Sequence, residues 1–301
     1  MSAPTPAARL RALLEQDVCH VMPCCWDGLS ASLIEQAGFP LTFMSGFAVS
    51  AARAALPDTG LLSLGEILDT GRAITGAVTI PVMGDGDTGH GNAVNVRRTV
   101  REFARAGFAA VMIEDQVSPK RCGHTGVKEV VPFDEARMRI HAAVDAVREE
   151  ELDILILART DARAVVGFKE ALRRARAFSE LGADILFVEA PRSRAELEEI
   201  PKAVPGIHMC NLLEGGLTPL LPADELARMG YRIAARPLTL LSATMHVMTG
   251  VLESLKAGET VPAGLLDFTE LKRRVGFDAY DTLATRYAGR DTCGAGDDGG
   301  K

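Results

Sequence analysis

The sequence predicts an α/β protein of the (β/α)8 barrel class. Eight short runs rich in Val, Ile, Leu and Met alternate with longer amphipathic stretches. The runs are continuously apolar, as strands buried on both faces are, which indicates a parallel sheet. Polar or ionised residues recur directly after several different runs, where a barrel assembles its site. A doubly wound open sheet fits less well, because the first βα turn has no GxGxxG.

In chain order, a helix over 6–16 precedes the first strand and is expected to cover the bottom of the barrel. Strands are expected at 20–23, 41–45, 80–84, 109–114, 154–158, 185–189, 207–211 and 231–235. Helical patterns between them include 92–106, 134–150, 167–181 and 223–229, the last with Pro222 and Asp224 at its start. Beyond strand eight, 238–256 and 267–287 supply more helix than one barrel needs, apolar enough to pack on another surface. The chain reads as one domain, 1–288, with these extra C-terminal helices included. Residues 289–301, rich in Gly and Asp, are expected to be a disordered tail.

With 301 residues, 47% hydrophobic and 24% charged, the chain is long and apolar enough for a large core. Lys and Arg number 33 against 40 Asp and Glu, so no basic field invites nucleic acid. Aromatic residues at 5% leave few flat faces for stacking bases. No signal peptide and no membrane span are expected. The six cysteines are scattered without a CxxC pair, which suits reduced thiols and a cytoplasmic location.

The expected strand ends carry Ser45-Gly46, Asp85-Gly86-Asp87, Glu114-Asp115-Gln116, Arg159-Thr160-Asp161, Glu189-Ala190-Pro191, Asn211 with Glu214 beyond, and Arg236-Pro237. Charges at so many strand ends are costly unless paired or bound to metal. Asp85 and Asp87, with Glu114 or Asp115 one strand over, are hard oxygen ligands suited to Mg2+ or Mn2+, partly through water. The competing reading is that these acids cap helices or pair with Arg159. Their charge argues against Gly84-x-Gly86-x-x-Gly89 as a pyrophosphate loop. Arg159 and Arg236 offer bidentate forks for the carboxylates of a dianionic acid; an internal salt bridge to Glu189 or Glu114 is the alternative for Arg159. The long segment 115–132 contains Lys120-Arg121-Cys122-Gly123-His124. It reads as a lid bringing Cys122 and His124 over the metal, with basic neighbours making the thiol more acidic. An incidental cysteine is the alternative. His90 reads as an outer residue of the aspartate loop, and His208 as structural.

Together with Leu56-Pro57-Asp58-Thr59-Gly60, Ala158-Arg159-Thr160-Asp161-Ala162, Val188-Glu189-Ala190-Pro191 and Asn211-Leu212-Leu213-Glu214-Gly215-Gly216, these motifs resemble, in order, the isocitrate lyase/phosphoenolpyruvate mutase superfamily. Lys-Arg-Cys-Gly-His is similar to the stretch found in its carbon–carbon lyases: isocitrate lyase, 2-methylisocitrate lyase, 2,3-dimethylmalate lyase and the petal death protein. The phosphonate-forming mutases lack the Cys. The resemblance implies a TIM-type barrel, a homotetramer with exchanged C-terminal helices, and one Mg2+ per site. By position it implies Asp85 as metal ligand, Asp87 and Glu114 holding its waters, and Asp58 nearby. It implies Ser45 and the Gly46 amide binding a carboxylate or oxyanion, Arg159 and Asn211 holding substrate, Glu189 orienting Arg159 or the ligand, and Cys122 as general acid. The implied reaction is retro-aldol cleavage of a small 2-hydroxy di- or tricarboxylate to an α-keto acid and a carboxylate. An oxaloacetate hydrolase or decarboxylase on the same scaffold is the alternative, and a non-catalytic binding barrel a third reading. Arg236-Pro237-Leu238 departs from the family pattern. Arg236 either selects a further carboxylate or turns away to pair with an acid. Leu212 and Leu213 suit an alkyl substituent.

Overall fold

The computed structural model describes residues 3–121 and 128–288. The expected lid residues Cys122 and His124, and the expected tail, lie outside the described residues.

Eight parallel strands close in sequence order into a barrel: β1 (His20–Cys25), β2 (Thr42–Met44), β3 (Val82–Asp85), β4 (Ala110–Glu114), β5 (Leu155–Thr160), β6 (Ile185–Val188), β7 (Ile207–Asn211) and β8 (Tyr231–Arg236). The helices are α1 (Pro6–Leu14), α2 (Gly28–Gln36), α3 (Gly46–Ala54), α4 (Leu64–Ala77), α5 (Ala93–Arg105), α6 (Phe133–Glu149), α7 (Ala162–Val165), α8 (Phe168–Leu181), α9 (Arg194–Ala203), α10 (Ala223–Met229), α11 (Thr239–Lys256), α12 (Phe268–Arg274) and α13 (Phe277–Ala288). The expected fold class is correct. No helix among the described residues is long and apolar enough to cross a membrane.

Capping residues set the helix starts. Asp27, Ser63 and Asn92 each accept the N–H of the third helical residue, which in turn closes a capping box. The barrel interior is filled by Met22, Leu41, Met83, Leu155, Ile185, Met209 and Ile233, and Ala7, Leu10 and Leu14 of α1 join that cluster. The expected N-terminal cover therefore comes from one apolar stripe at helical spacing. A second layer, including Val100, Phe103, Ile140 and Phe178, fills the space between strands and helices. Phe103 and Phe108 lie so close to β3 that a Cβ on Gly84 would sit 2.6 Å and 2.7 Å from their rings.

Some boundaries differ from the sequence reading. β3 begins after Pro81, which has no N–H for the ladder, and runs on to Asp85, paired with Met112 of β4. The expected helix 267–287 is two helices, because Gly276 adopts φ +90 between α12 and α13. The chain divides into two compact units, Met1–Met245 and His246–Lys301. In the second, no residue of α12 or α13 is buried.

His208 on β7 is a structural histidine. Its ring is buried, and Nε2 donates to the Val204 carbonyl at 2.8 Å. Burial lowers its pKa below the usual imidazole range. A ring with a depressed folded pKa favours folding fully above the unfolded value of about 6.5, and loses that contribution as pH falls through the folded value. His208→Phe should therefore lose less urea stability than the parent between pH 7.5 and pH 5. An unchanged difference between the two pH values would refute this.

Candidate active site

The strand ends converge on one cavity at the C-terminal mouth of the barrel. Among the described residues it is lined by Ser45, Asp58, Asp85, Glu114, Lys120, Arg121, Arg159, Glu189 and Asn211, with Phe47, Leu213, Pro237 and Leu238 as an apolar wall.

One side of the cavity is acidic. Asp85 closes β3, and its Oδ1 accepts the Asp87 N–H at 3.0 Å. Asp87 holds a left-handed φ of +51, and its carbonyl accepts the Glu114 N–H at 2.9 Å. A Cβ on Gly46 would lie 2.6 Å from Asp85 Oδ2, so only glycine lets the start of α3 approach this closely. Ser45 caps α3 by accepting the Ala48 N–H at 3.3 Å. The first N–H groups of α3 therefore open beside the acid set, an arrangement that favours anions.

Lys120 sits among the acids. Its Nζ lies 2.9 Å from Asp58 and 3.6 Å from Asp85, and also pairs with Asp87. Burial alone would lower the ammonium's pKa, yet Asp85, Asp87 and Asp58 raise it well above the usual lysine range. Burial pushes Asp87 up to about 7, against the pull of Lys120. Burial likewise raises Glu114 well above the carboxylate range despite Arg159.

The other side is built on β5. Glu114 and Arg159 are register partners across β4 and β5, so their side chains share a face, with Arg159 Nε 3.2 Å from Glu114 Oε2. Arg159 also binds Asp161 through Nε at 2.8 Å and Nη2 at 3.0 Å. Its Nη2 lies 3.6 Å from Glu189, which accepts Asn211 Nδ2 at 3.1 Å. Strand alternation sends the intervening Thr160 the other way, where its hydroxyl donates to Asp115 at 2.6 Å. Asp115 is also held by Arg174 of α8 at 3.0 Å.

The loop after β4 is fastened at both ends. Gln116 and Val130 form a bridge, and the Gln116 amide both accepts from and donates to the Arg121 backbone at 2.9 Å. Lys128 Nζ reaches Asp161 at 2.9 Å.

Of the sequence-predicted residues, Ser45, Asp58, Asp85, Glu114, Arg159, Glu189 and Asn211 line the one cavity, and Gly46 and Asp87 adjoin it through Asp85. Of the two expectations for Arg236, the pairing with an acid is the one seen: it meets Glu214 at 3.2 Å, and Glu214 also accepts the Thr239 hydroxyl at 2.8 Å. Glu214 lies three residues past β7, and the pair is part-exposed. From sequence, Lys128 and Asp161 have no assigned role, and Lys120 counts only as part of the basic stretch before Cys122. The period-2 pairing of Arg159 with Asp161 was a usable signal for Asp161. Nothing in the local sequence around Lys128 points to Asp161, 33 residues on.

The residues fit a divalent cation held mainly through water. Among the described residues no three His, Cys, Asp or Glu side chains are gathered closely enough to ligate one ion directly. Six carboxylates (Asp58, Asp85, Asp87, Glu114, Asp161 and Glu189) are paired there with three cations, Lys120, Lys128 and Arg159. Glu114 Oε1 is buried without a hydrogen-bond partner among the described residues, as an acceptor for a metal-bound water would be.

A closed barrel with ionised strand ends around one mouth is the arrangement of a (β/α)8 enzyme. Residues 10–256 match the family described as phosphoenolpyruvate phosphomutase. The chain is 40% identical over 94% of its length to a 2,3-dimethylmalate lyase of Eubacterium barkeri, covering 98% of it. It is 40% identical to a chloroplastic carboxyvinyl-carboxyphosphonate phosphorylmutase of Arabidopsis thaliana, covering 94% of this chain and 86% of that protein. It is also 40% identical to a 2-methylisocitrate lyase of Aeropyrum pernix, covering 96% and 87%. Among solved structures, an oxaloacetate acetylhydrolase bound to 3,3-difluorooxalacetate superimposes with TM-score 0.89 at 32% identity, covering 95% of this chain and 98% of that one. A 2,3-dimethylmalate lyase gives TM-score 0.89 at 34% identity, covering 100% and 99%. A phosphonopyruvate hydrolase complexed with oxalate and Mg++ gives 0.82 at 31%, covering 95% and 100%. The chain belongs to the phosphoenolpyruvate phosphomutase family, within the isocitrate lyase/phosphoenolpyruvate mutase superfamily, and is an enzyme of that superfamily's carbon–carbon lyase type.

Proposed function

We propose that the chain is an Mg2+-dependent lyase that cleaves a 2-hydroxy di- or tricarboxylate, of 2-alkylmalate or 2-methylisocitrate type, into an α-keto acid and a carboxylate. One observation carries the reading: the Asp58–Asp85–Glu114 acid set and the Arg159–Glu189–Asn211 set line a single cavity. Relatives named 2,3-dimethylmalate lyase and 2-methylisocitrate lyase support it.

Asp85 would hold Mg2+, with Asp87 and Glu114 accepting from its waters; Mn2+ suits the same oxygen set. When bound, the ion supplies positive charge opposite the substrate's hydroxyl and adjoining carboxylate. Arg159 and Asn211 hold the other carboxylate, and Glu189 keeps the two side chains in place. Ser45 and the Gly46 N–H take the oxygen on which negative charge develops. A base takes the hydroxyl proton, the oxygen's electron pair forms the carbonyl of the α-keto acid as the carbon–carbon bond breaks, and the electrons of that bond go to the carboxylate-bearing carbon. Cys122 then delivers a proton to that carbon, with His124 beside it in the sequence.

Within this class the dicarboxylate arm is favoured. Arg236, the cation expected to select a further carboxylate, does not line the cavity and pairs with Glu214. Phe47, Leu213, Pro237 and Leu238 offer an alkyl substituent an apolar wall. The test follows, with Mg2+, α-keto acid release from a panel of 2-alkylmalates and 2-methylisocitrate, and the loss of oxaloacetate to oxalate and acetate or to pyruvate. The expected outcome is the highest kcat/KM on a 2-alkylmalate. Turnover of oxaloacetate alone would transfer the assignment to a hydrolase or decarboxylase, a reading that the likeness to oxaloacetate acetylhydrolase supports. Turnover of none would leave a binding barrel.

We assign the enzyme to the cytoplasm and to a homotetramer, with residues 1–288 as one domain. Exposed Leu252, Phe268, Phe277, Tyr280 and Leu283 support subunit contacts through the C-terminal helices.

A further inference from the structure

We propose that Lys128 is a positioning residue that neutralises Asp161 and so leaves the charge of Arg159 for the substrate carboxylate. The inference rests on the function proposed above, in which Arg159 holds that carboxylate.

Asp161 is fully buried, and its backbone N–H donates to Asp115 at 2.8 Å. Its carboxylate is shared between two cations. Arg159 binds both oxygens, at 2.8 Å and 3.0 Å, and Lys128 Nζ binds Oδ1 at 2.9 Å. The Lys128 side chain is only 4% exposed, so it is a built contact and not a surface ion pair. Arg159 lines the cavity; Asp161 and Lys128 do not.

A buried carboxylate facing a single guanidinium forms a closed neutral pair, strong at low dielectric and slow to share its cation. A second buried cation changes that balance. Asp161 still fixes the plane of the guanidinium through two hydrogen bonds, but Lys128 offsets its negative charge. The trio carries one net positive charge, which Arg159 presents to the cavity and to Glu114 and Glu189, 3.2 Å and 3.6 Å from its guanidinium; with Asp161 offset by Lys128, those two are the carboxylates left for an incoming anion to compete with. Without Lys128, Asp161 would hold Arg159 against an incoming anion.

The probe is oxalate with Mg2+, measured by titration calorimetry on the full chain. Lys128→Met should weaken oxalate about tenfold or more, and should raise KM for the turned-over diacid more than it lowers kcat. Lys128→Arg, which keeps the charge, should restore binding to within about threefold. Adding Asp161→Asn to Lys128→Met should tighten oxalate relative to Lys128→Met alone, because the competing carboxylate charge is gone. A purely structural role predicts a lower melting temperature, an unchanged oxalate affinity, and further loss in the double variant; any of the last two results would overturn the inference. If Lys128→Met does not fold, Lys128→Gln takes its place. Arg159→Lys separates the two levels of argument. If it binds oxalate as the parent does, the role given to Arg159 fails. If it weakens oxalate while Lys128→Met does not, only the present inference fails.

Discussion

Asp85→Ala should abolish Mg2+-dependent α-keto acid release, lowering turnover by about 10^3-fold or more. A bound metal contributes several kcal/mol of charge stabilisation, and each ~1.4 kcal/mol is a factor of ten in rate. The same substitution should remove the response of folding stability to Mg2+. An ion that binds only the folded state adds about 2.7 kcal/mol at a concentration one hundred times its Kd, so the parent should melt later with Mg2+ and the variant should not. Without metal the variant need not be less stable than the parent. Asp85 stands in an excess of buried acid around Lys120, and its removal relieves repulsion with Asp87. A Mg2+-dependent melting shift retained in Asp85→Ala would remove this carboxylate from the metal site.

Cys122→Ser should lower kcat on a 2-alkylmalate by about 10^2 to 10^4, the usual contribution of a positioned general acid. The hydroxyl that replaces the thiol is a much weaker acid at neutral pH, while the groups that hold the substrate are untouched, so KM should change little. Arg121, the preceding residue, lines the cavity with its backbone fastened to the Gln116 side chain. Lys120, one further back, is locked into the acid set. Turnover close to that of the parent on every hydroxy diacid would exclude Cys122 as the proton donor. Oxaloacetate turnover that survives the substitution, with hydroxy diacid turnover absent in both proteins, would favour the hydrolase or decarboxylase reading.

Much of the site was legible because barrel chemistry is written at strand ends. Continuous apolar runs such as 154–158 announce strands buried on both faces, and whatever polar residue follows such a run must lie at the mouth. That logic puts Asp85, Arg159, Glu189, Asn211 and one of the acids after β4 at one mouth, where the cavity lies. It could not choose between Glu114 and Asp115. Adjacent residues leave a strand on opposite faces, and only the register of β4 against β5 shows that Glu114 meets Arg159 inside while Asp115 meets Arg174 outside.

Arg236 shows the same limit from the other side. An arginine at a strand end predicts a cation at the mouth, but its direction depends on the loop after β7, which brings Glu214 to the guanidinium. By itself, then, the sequence determined the barrel class, the acidic mouth and the family to which the motifs belong. These follow from local patterns of hydrophobicity and from residue types at short spacing. Only the tertiary structure decided which charges pair. The partners of Lys120 and Lys128 lie 62 and 33 residues away, at Asp58 and Asp161, and such pairings are set by barrel closure, which no local pattern encodes.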